Sequence, residues 1–165
     1  MKDETLYFKD NFFSAGKTDI FNSSKEKVGE LDLKSTFTSS VDVLDHYGNV
    51  VVSGKLASFS NKWKLCNNVQ NEIGTLKQKL TFLSKKYEYD ALDRGIYQID
   101  SEPFSYLYDI SDDQSNQIGK FEKVSGFFST PAYQLNNFSK KLSNEELIAV
   151  VMGVNAIQKR NNSAT

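Results

Sequence analysis

The sequence predicts a mainly β protein: a closed antiparallel barrel of about twelve strands enclosing a hydrophobic helix at the C-terminal end. Three observations carry that expectation. Up to residue 140 no stretch sustains a helical period, while short apolar runs or alternations are repeatedly separated by turn-forming clusters. Gly29, Gly54, Gly74 and Gly119 recur at like places after those clusters. From Leu147 to Ala156 every residue except Asn155 is apolar or glycine, so no face of that helix is polar.

The turns are "NSSKEK" at 22–27, "DHYGN" at 45–49, "NNVQNE" at 67–72, "LDRG" at 92–95 and "SDDQSNQ" at 111–117. Each is rich in Asn, Asp, Ser or Gly, residues that tolerate positive φ or bond their own backbone. "VGEL", "SGKL", "IGTL" and "IGKF" follow them, and glycine inside a strand marks a bend, a bulge or a close approach. Repeated bending of the sheet is the expected reason for those four glycines. Strands are predicted near 6–13, 18–22, 28–34, 40–45, 50–56, 61–66, 72–80, 85–91, 95–100, 103–110, 117–124 and 131–138. Pro103 and Pro131 fall at strand starts, where a missing N–H does least harm. The connectors after the return strands also resemble one another: "FFSAGK", "STFTSS", "LASFSN", "LTFLSK" and "GFFSTP".

The helix, predicted over about 143–160, starts with a capping box. Ser143 accepts an N–H of the first turn while Glu146 reaches back, and Lys159 and Arg160 complement the negative end of the dipole. Crossing a bilayer takes ~20 apolar residues, and this run offers about half, so its place is the interior of its own protein. A barrel of about twelve strands is too wide for side chains alone to fill, so helix and barrel explain one another. Gly153 is expected to admit a close neighbour, and Asn155 to find a hydrogen-bond partner at the barrel mouth.

The length of 165 residues fits one domain spanning the chain, and 39% hydrophobic with 25% charged residues fits a globular protein. The net charge of −1 argues against a nucleic-acid binder. A lone cysteine, Cys66, excludes an internal disulfide framework and fits a reducing, cytoplasmic setting; "MKDETLYFKDNFF" does not read as a signal peptide. Cys66 itself reads as a small buried hydrophobe. His46, the single histidine, lies in a turn and reads as a solvated residue, so no catalytic triad is legible. The ligand set for zinc is missing, "SDDQSNQIG" lacks the spacing of a calcium loop, and no glycine pattern cradles a nucleotide. No catalytic residue, metal or cofactor is expected, and the reading is a non-enzymatic one.

The repeated hairpins, and the "FEKVSGFFSTPAYQL" segment leading through "SKKLSNEEL" into an apolar helix, resemble the tubby C-terminal-like superfamily. The nearer likeness is to a small bacterial member of its LURP-one-related branch. That resemblance implies a twelve-stranded barrel around a central hydrophobic helix; tubby proteins of the superfamily bind phosphoinositides through basic residues on the wall. Phospholipid scramblases are proposed relatives. This chain has no obvious calcium site, palmitoylation cluster or membrane-spanning tail, which speaks against scramblase activity.

Charge is distributed unevenly. Lys55, Lys62, Lys64, Lys77, Lys79, Lys85 and Lys86 face one acid, Glu72, between residues 55 and 86, whereas residues 88–113 hold eight acids and only Arg94. Strand alternation puts Lys62 and Lys64 opposite Trp63 and Leu65, and Lys77 and Lys79 opposite Leu76 and Leu80. Outward lysines keep a barrel soluble and block edge pairing. Gathered on neighbouring strands, Lys62, Lys64, Lys77, Lys79, Lys85 and Lys86 also form a candidate ligand-binding wall for an anionic membrane surface or phospholipid headgroup, which would make the protein peripheral at the membrane. The alternative expectation is a protein-interaction or scaffold domain that presents the acidic 88–113 segment to a basic partner.

Overall fold

Twelve strands close into one antiparallel barrel in a computed structural model, which describes residues 4–35, 39–80, 85–102 and 106–163. They are β1 (Glu4–Lys9), β2 (Gly16–Phe21), β3 (Lys27–Ser35), β4 (Ser40–Asp45), β5 (Val50–Leu56), β6 (Lys62–Asn67), β7 (Glu72–Lys79), β8 (Lys85–Asp90), β9 (Ile96–Ser101), β10 (Tyr108–Ser111), β11 (Gln117–Val124) and β12 (Ala132–Asn137). Each pairs with its sequence neighbours, and β12 returns to β1. The helix α1 spans Asn144–Ser163.

Four of the predicted turns are one device used four times. Each opens on Asn22, Asp45, Asn67 or Asp112, whose Oδ1 accepts the backbone N–H groups two and four residues later. The fourth residue has positive φ: Lys25, Gly48, Gln70 and Ser115. A shift of register follows on the flanking strands at Ile20/Phe21, Val43/Leu44, Leu65/Cys66 and Ile110/Ser111, the bulge such turns impose. The turn at 92–95 is a single 3-10 turn instead, entered through Asp90, whose Oδ1 accepts the Leu92 N–H.

Strand ends depart from the alternation pattern in two places. β1 stops at Lys9, and the chain tucks Phe12 and Phe13 across the mouth against Phe121 and Tyr133, because the open end of a barrel must be covered with apolar surface. β10 starts only at Tyr108. Pro103 lies outside the described residues, and Pro131 directly precedes β12. The seam between β1 and β2 rests on two register pairs, Tyr7↔Phe21 and Phe8↔Ile20. The β11–β12 connector covers it from outside, stacking Phe127 on Tyr7 and setting Phe128 edge-on to Phe21.

The four recurrent glycines do more than let the sheet bend. None has positive φ, and all are buried, which makes room for neighbours. A Cβ on Gly74 would stand 2.2 Å from the Tyr89 hydroxyl oxygen, and one on Gly54 would stand 2.5 Å from the Trp63 ring. Trp63 is fully buried between Gly54 on the wall and Gly153 on the helix, where a Cβ would again be 2.5 Å away.

Residues Leu147 to Val154 are all buried, and α1 touches side chains from strands around the barrel, so the helix runs through the interior. Among the described residues no helix is long and apolar enough to cross a membrane. Only half of the capping box forms: Ser143 Oγ accepts the Glu146 N–H at 3.1 Å. The Glu146 carboxylate turns inward instead, taking two hydrogen bonds from Arg94 at 2.6 and 2.8 Å and one from the Tyr89 hydroxyl at 2.5 Å. Arg94 also donates to the Ile73 carbonyl, so β7, β8, the 3-10 turn that follows β8 and the helix meet at this mouth. At the other mouth Arg160 donates to the Ala57 and Ser60 carbonyls, and Gln158 to Ser101. Asn155 departs from expectation. It is buried beside the Tyr108 hydroxyl, but no aligned hydrogen bond joins them, and among the described residues Tyr108 Oη, Tyr87 Oη and Trp63 Nε1 are buried without partners.

Burial holds the Tyr89 and Tyr108 hydroxyls far above the ordinary tyrosine range, and the Glu146 carboxylate adds to the effect on Tyr89. A proton held more tightly in the folded state contributes stability below the unfolded pKa, near 10, and that contribution is lost as pH rises further. Unfolding free energy is therefore expected to fall above pH ~10 by about 1.4 kcal/mol per pH unit for each of these tyrosines. Urea titrations at stepped alkaline pH, with tyrosinate absorbance as the second probe, check this. Ionisation of all eight tyrosines while the fold persists would contradict it.

Candidate functional site

The barrel gathers most of the predicted lysines on one sector of its outer wall. In β6, Lys62 and Lys64 are exposed while Trp63 and Leu65 are buried, and in β7 Lys77 and Lys79 point away from buried Leu76. Cross-strand register places Lys62 opposite Lys77, Lys55 opposite Lys64, and Lys79 opposite Lys86. Two expectations need correction. Leu80 is not an inward residue, because β7 ends at Lys79 and Leu80 is fully exposed. Lys85 alternates with inward Tyr87 and Tyr89, so it stands at the barrel rim and not on the wall with Lys86.

The acidic segment is not a separate face. Strand pairing lays it beside the basic one, so Glu88 sits 3.5 Å from Lys77 and 3.6 Å from Lys79, and Asp100 sits 3.4 Å from Lys86. Asp90 and Asp112 are engaged in turns, and Asp109 accepts from Gln117. Among the described residues Lys55, Lys62 and Lys64 take part in no ion pair. These three are the cations of the wall open to an outside anion.

Lys55 and Lys64 border a shallow groove of about 380 Å³ on the outside of β4, β5 and β6. It exists because the outward residues Ser40 and Ser53 are short where their neighbours are long. Asp42 also lines it, but its carboxylate is held by Lys34 at 3.2 Å, which in turn contacts Asp32 at 2.6 Å. Those two carboxylates raise the Lys34 pKa, and the lysine keeps its charge. Cys66 is not the buried hydrophobe expected. The alternation that turns Lys64 outward turns Cys66 the same way, and it lies half-buried in the groove. Ser40 and Ser53 carried no signal as site residues, since a serine on a strand is unremarkable until register shows which lysines flank it.

Other candidates behave as plain structure. His46 is exposed in its turn, its ring tilted against Tyr47 with centroids 3.8 Å apart. "SDDQSNQIG" is a hairpin turn in which the Asp112 carboxylate accepts from Gln114, from Asn116 N–H and from the Asn116 amide. Those bonds also lower the Asp112 pKa. Among the described residues no three His, Cys, Asp or Glu side chains gather where they could hold a metal.

A family model described as LURP-one-related matches residues 4–154. An X-ray structure of a protein from Arabidopsis thaliana matches with a TM-score of 0.61, covering 97% of this chain and 91% of that one. At 9% sequence identity that likeness shows the fold alone. No curated protein matches this chain.

Proposed function

The chain belongs to the LURP-one-related family, and from that premise we propose that it is a non-enzymatic binding module whose wall, centred on Lys55, Lys62 and Lys64, associates with anionic lipid headgroups of the phosphoinositide or phosphatidylserine kind. The observation that carries the reading is the groove: two adjacent cross-strand lysines, free of carboxylate partners, beside hydroxyls able to hydrogen-bond a phosphate. Lysines supply point charges and not the bidentate fork of arginine, so the expected association is modest, salt-sensitive and tolerant of headgroup. Each near-surface lysine adds ~1 kcal/mol at an anionic surface.

Vesicle flotation tests it. Binding is expected to rise with phosphatidylserine or phosphoinositide content, to fall with added salt, and to drop about a hundred-fold or more in the Lys55→Glu/Lys62→Glu/Lys64→Glu variant. Lys77→Glu/Lys79→Glu is expected to weaken binding less, because those lysines already neutralise Glu88. Equal binding to neutral and anionic vesicles, or an undiminished triple variant, would discard the lipid reading and favour a protein partner.

A further inference from the structure

Phe59 and Leu80 are fully exposed, and they stand at the same end of the barrel. Phe59 is in the β5–β6 connector and Leu80 directly follows β7, so the two flank the paired strands β6 and β7. Single exposed apolar residues are ordinary, but two large ones on neighbouring connectors, inside a rim of cations, are not. Lys62 opens β6, Lys79 closes β7, and Lys85 and Lys86 open β8, all beside these connectors. Residues 57–61 hold no carboxylate, and between Lys55 and Leu80 the one acid, Glu72, lies at the far end of β7.

The connector carrying Phe59 is also held in place from within. Arg160 binds the Ala57 and Ser60 carbonyls at 2.7 and 3.0 Å, and Asn161 accepts from Asn61 at 2.8 Å. The apolar tip is thus presented on a braced loop. Tyr47, Val69 and Leu92 are exposed at the opposite end, but their turns are flanked by Asp45, Glu72, Asp90 and Asp93. Beside Tyr47, Val69 and Leu92 an anionic surface meets carboxylates, whereas beside Phe59 and Leu80 it meets lysines.

We propose that Phe59 and Leu80 form an insertion edge that enters the acyl boundary of an anionic bilayer while Lys62 and Lys85 lie at headgroup level, Lys79 and Lys86 beside them being already paired with Glu88 and Asp100. The barrel then docks with the end that surrounds the helix C-terminus facing the membrane. Apolar anchors with lysines around them divide the work of interfacial binding, burial giving depth and charge giving preference for anionic lipid. The inference rests on the lipid reading above and adds an orientation and a second, salt-independent contribution.

The test uses the full chain with vesicles of pure phosphatidylcholine and of phosphatidylcholine containing phosphatidylserine. Phe59→Ser and Leu80→Ser are each expected to weaken binding to anionic vesicles about ten-fold with melting unchanged, since neither side chain packs in the fold. The indole introduced by Phe59→Trp is expected to shift to shorter emission wavelengths and to be quenched by brominated acyl chains, after subtraction of the buried Trp63 signal. Wild-type binding with undiminished serine variants and an unquenched indole overturns the insertion edge and leaves the lysine wall standing. Absence of binding by the unsubstituted chain overturns the lipid reading and this inference with it. Loss of self-association in the serine variants without any vesicle effect assigns the edge to a second copy of the chain and also overturns the proposal.

Discussion

Gly153→Ala is expected to lower the unfolding free energy by about 3 kcal/mol, although glycine to alanine inside a helix normally raises it by about 1 kcal/mol. The sign is decided by Trp63. A Cβ at residue 153 would lie 2.5 Å from Trp63 Cδ1 and 2.8 Å from Leu76 Cδ2, and the ring cannot retreat because Gly54 is closed against its other side. Interiors pack at crystal density, so the displaced volume must come from off-rotamer side chains or a shifted helix. Urea denaturation measures the loss. Combining Gly153→Ala with Trp63→Leu should recover a coupling of about 1–3 kcal/mol, because the smaller residue removes the clash. Additive losses would mean that the helix does not lie against Trp63, and the enclosed-helix architecture would fall with that contact.

Arg94→Met is expected to cost about 3–5 kcal/mol, the usual penalty for leaving a buried charge without its partner. Glu146 is buried within the barrel, its side chain only 3% exposed, and without Arg94 the Tyr89 hydroxyl is the one donor left to its carboxylate among the described residues. The Ile73 carbonyl loses a donor as well. Arg94→Met joined with Glu146→Leu should regain most of the loss, since apolar residues of similar volume often replace a buried pair at little cost. Chemical denaturation of the two single variants and the double variant separates these outcomes. A single-variant loss below ~1 kcal/mol would show that water reaches Glu146, and that this mouth is not sealed by the pair.

Much of the architecture is legible from local chemistry because local chemistry produces it. Asn22, Asp45, Asn67 and Asp112 announce their turns through side chains that bond their own backbone, a property carried within five residues. The run from Leu147 to Ala156 declares an enclosed helix because no face of it tolerates water and it is too short for a bilayer. The outward lysines of β6 and β7 follow from the two-residue period of a strand.

Everything that depends on which strand lies beside which was out of reach. Lys77 and Glu88 are eleven residues apart in a sequence whose basic and acidic blocks look segregated, yet strand pairing sets them 3.5 Å apart and, among the described residues, narrows the open cations of this wall to Lys55, Lys62 and Lys64. Glu146 reads as half of a capping box, and only the inward turn of the helix at that mouth delivers it to Arg94 and Tyr89. Gly54 and Gly153, 99 residues apart, become the two sides of one slot for Trp63. The sequence by itself determined the period of each element, its turns and the greasiness of its last helix, since those are short-range consequences of side-chain chemistry. Tertiary structure alone decided the ion pairs, the groove and the exposed edge, because register and closure bring together residues that no spacing along the chain connects.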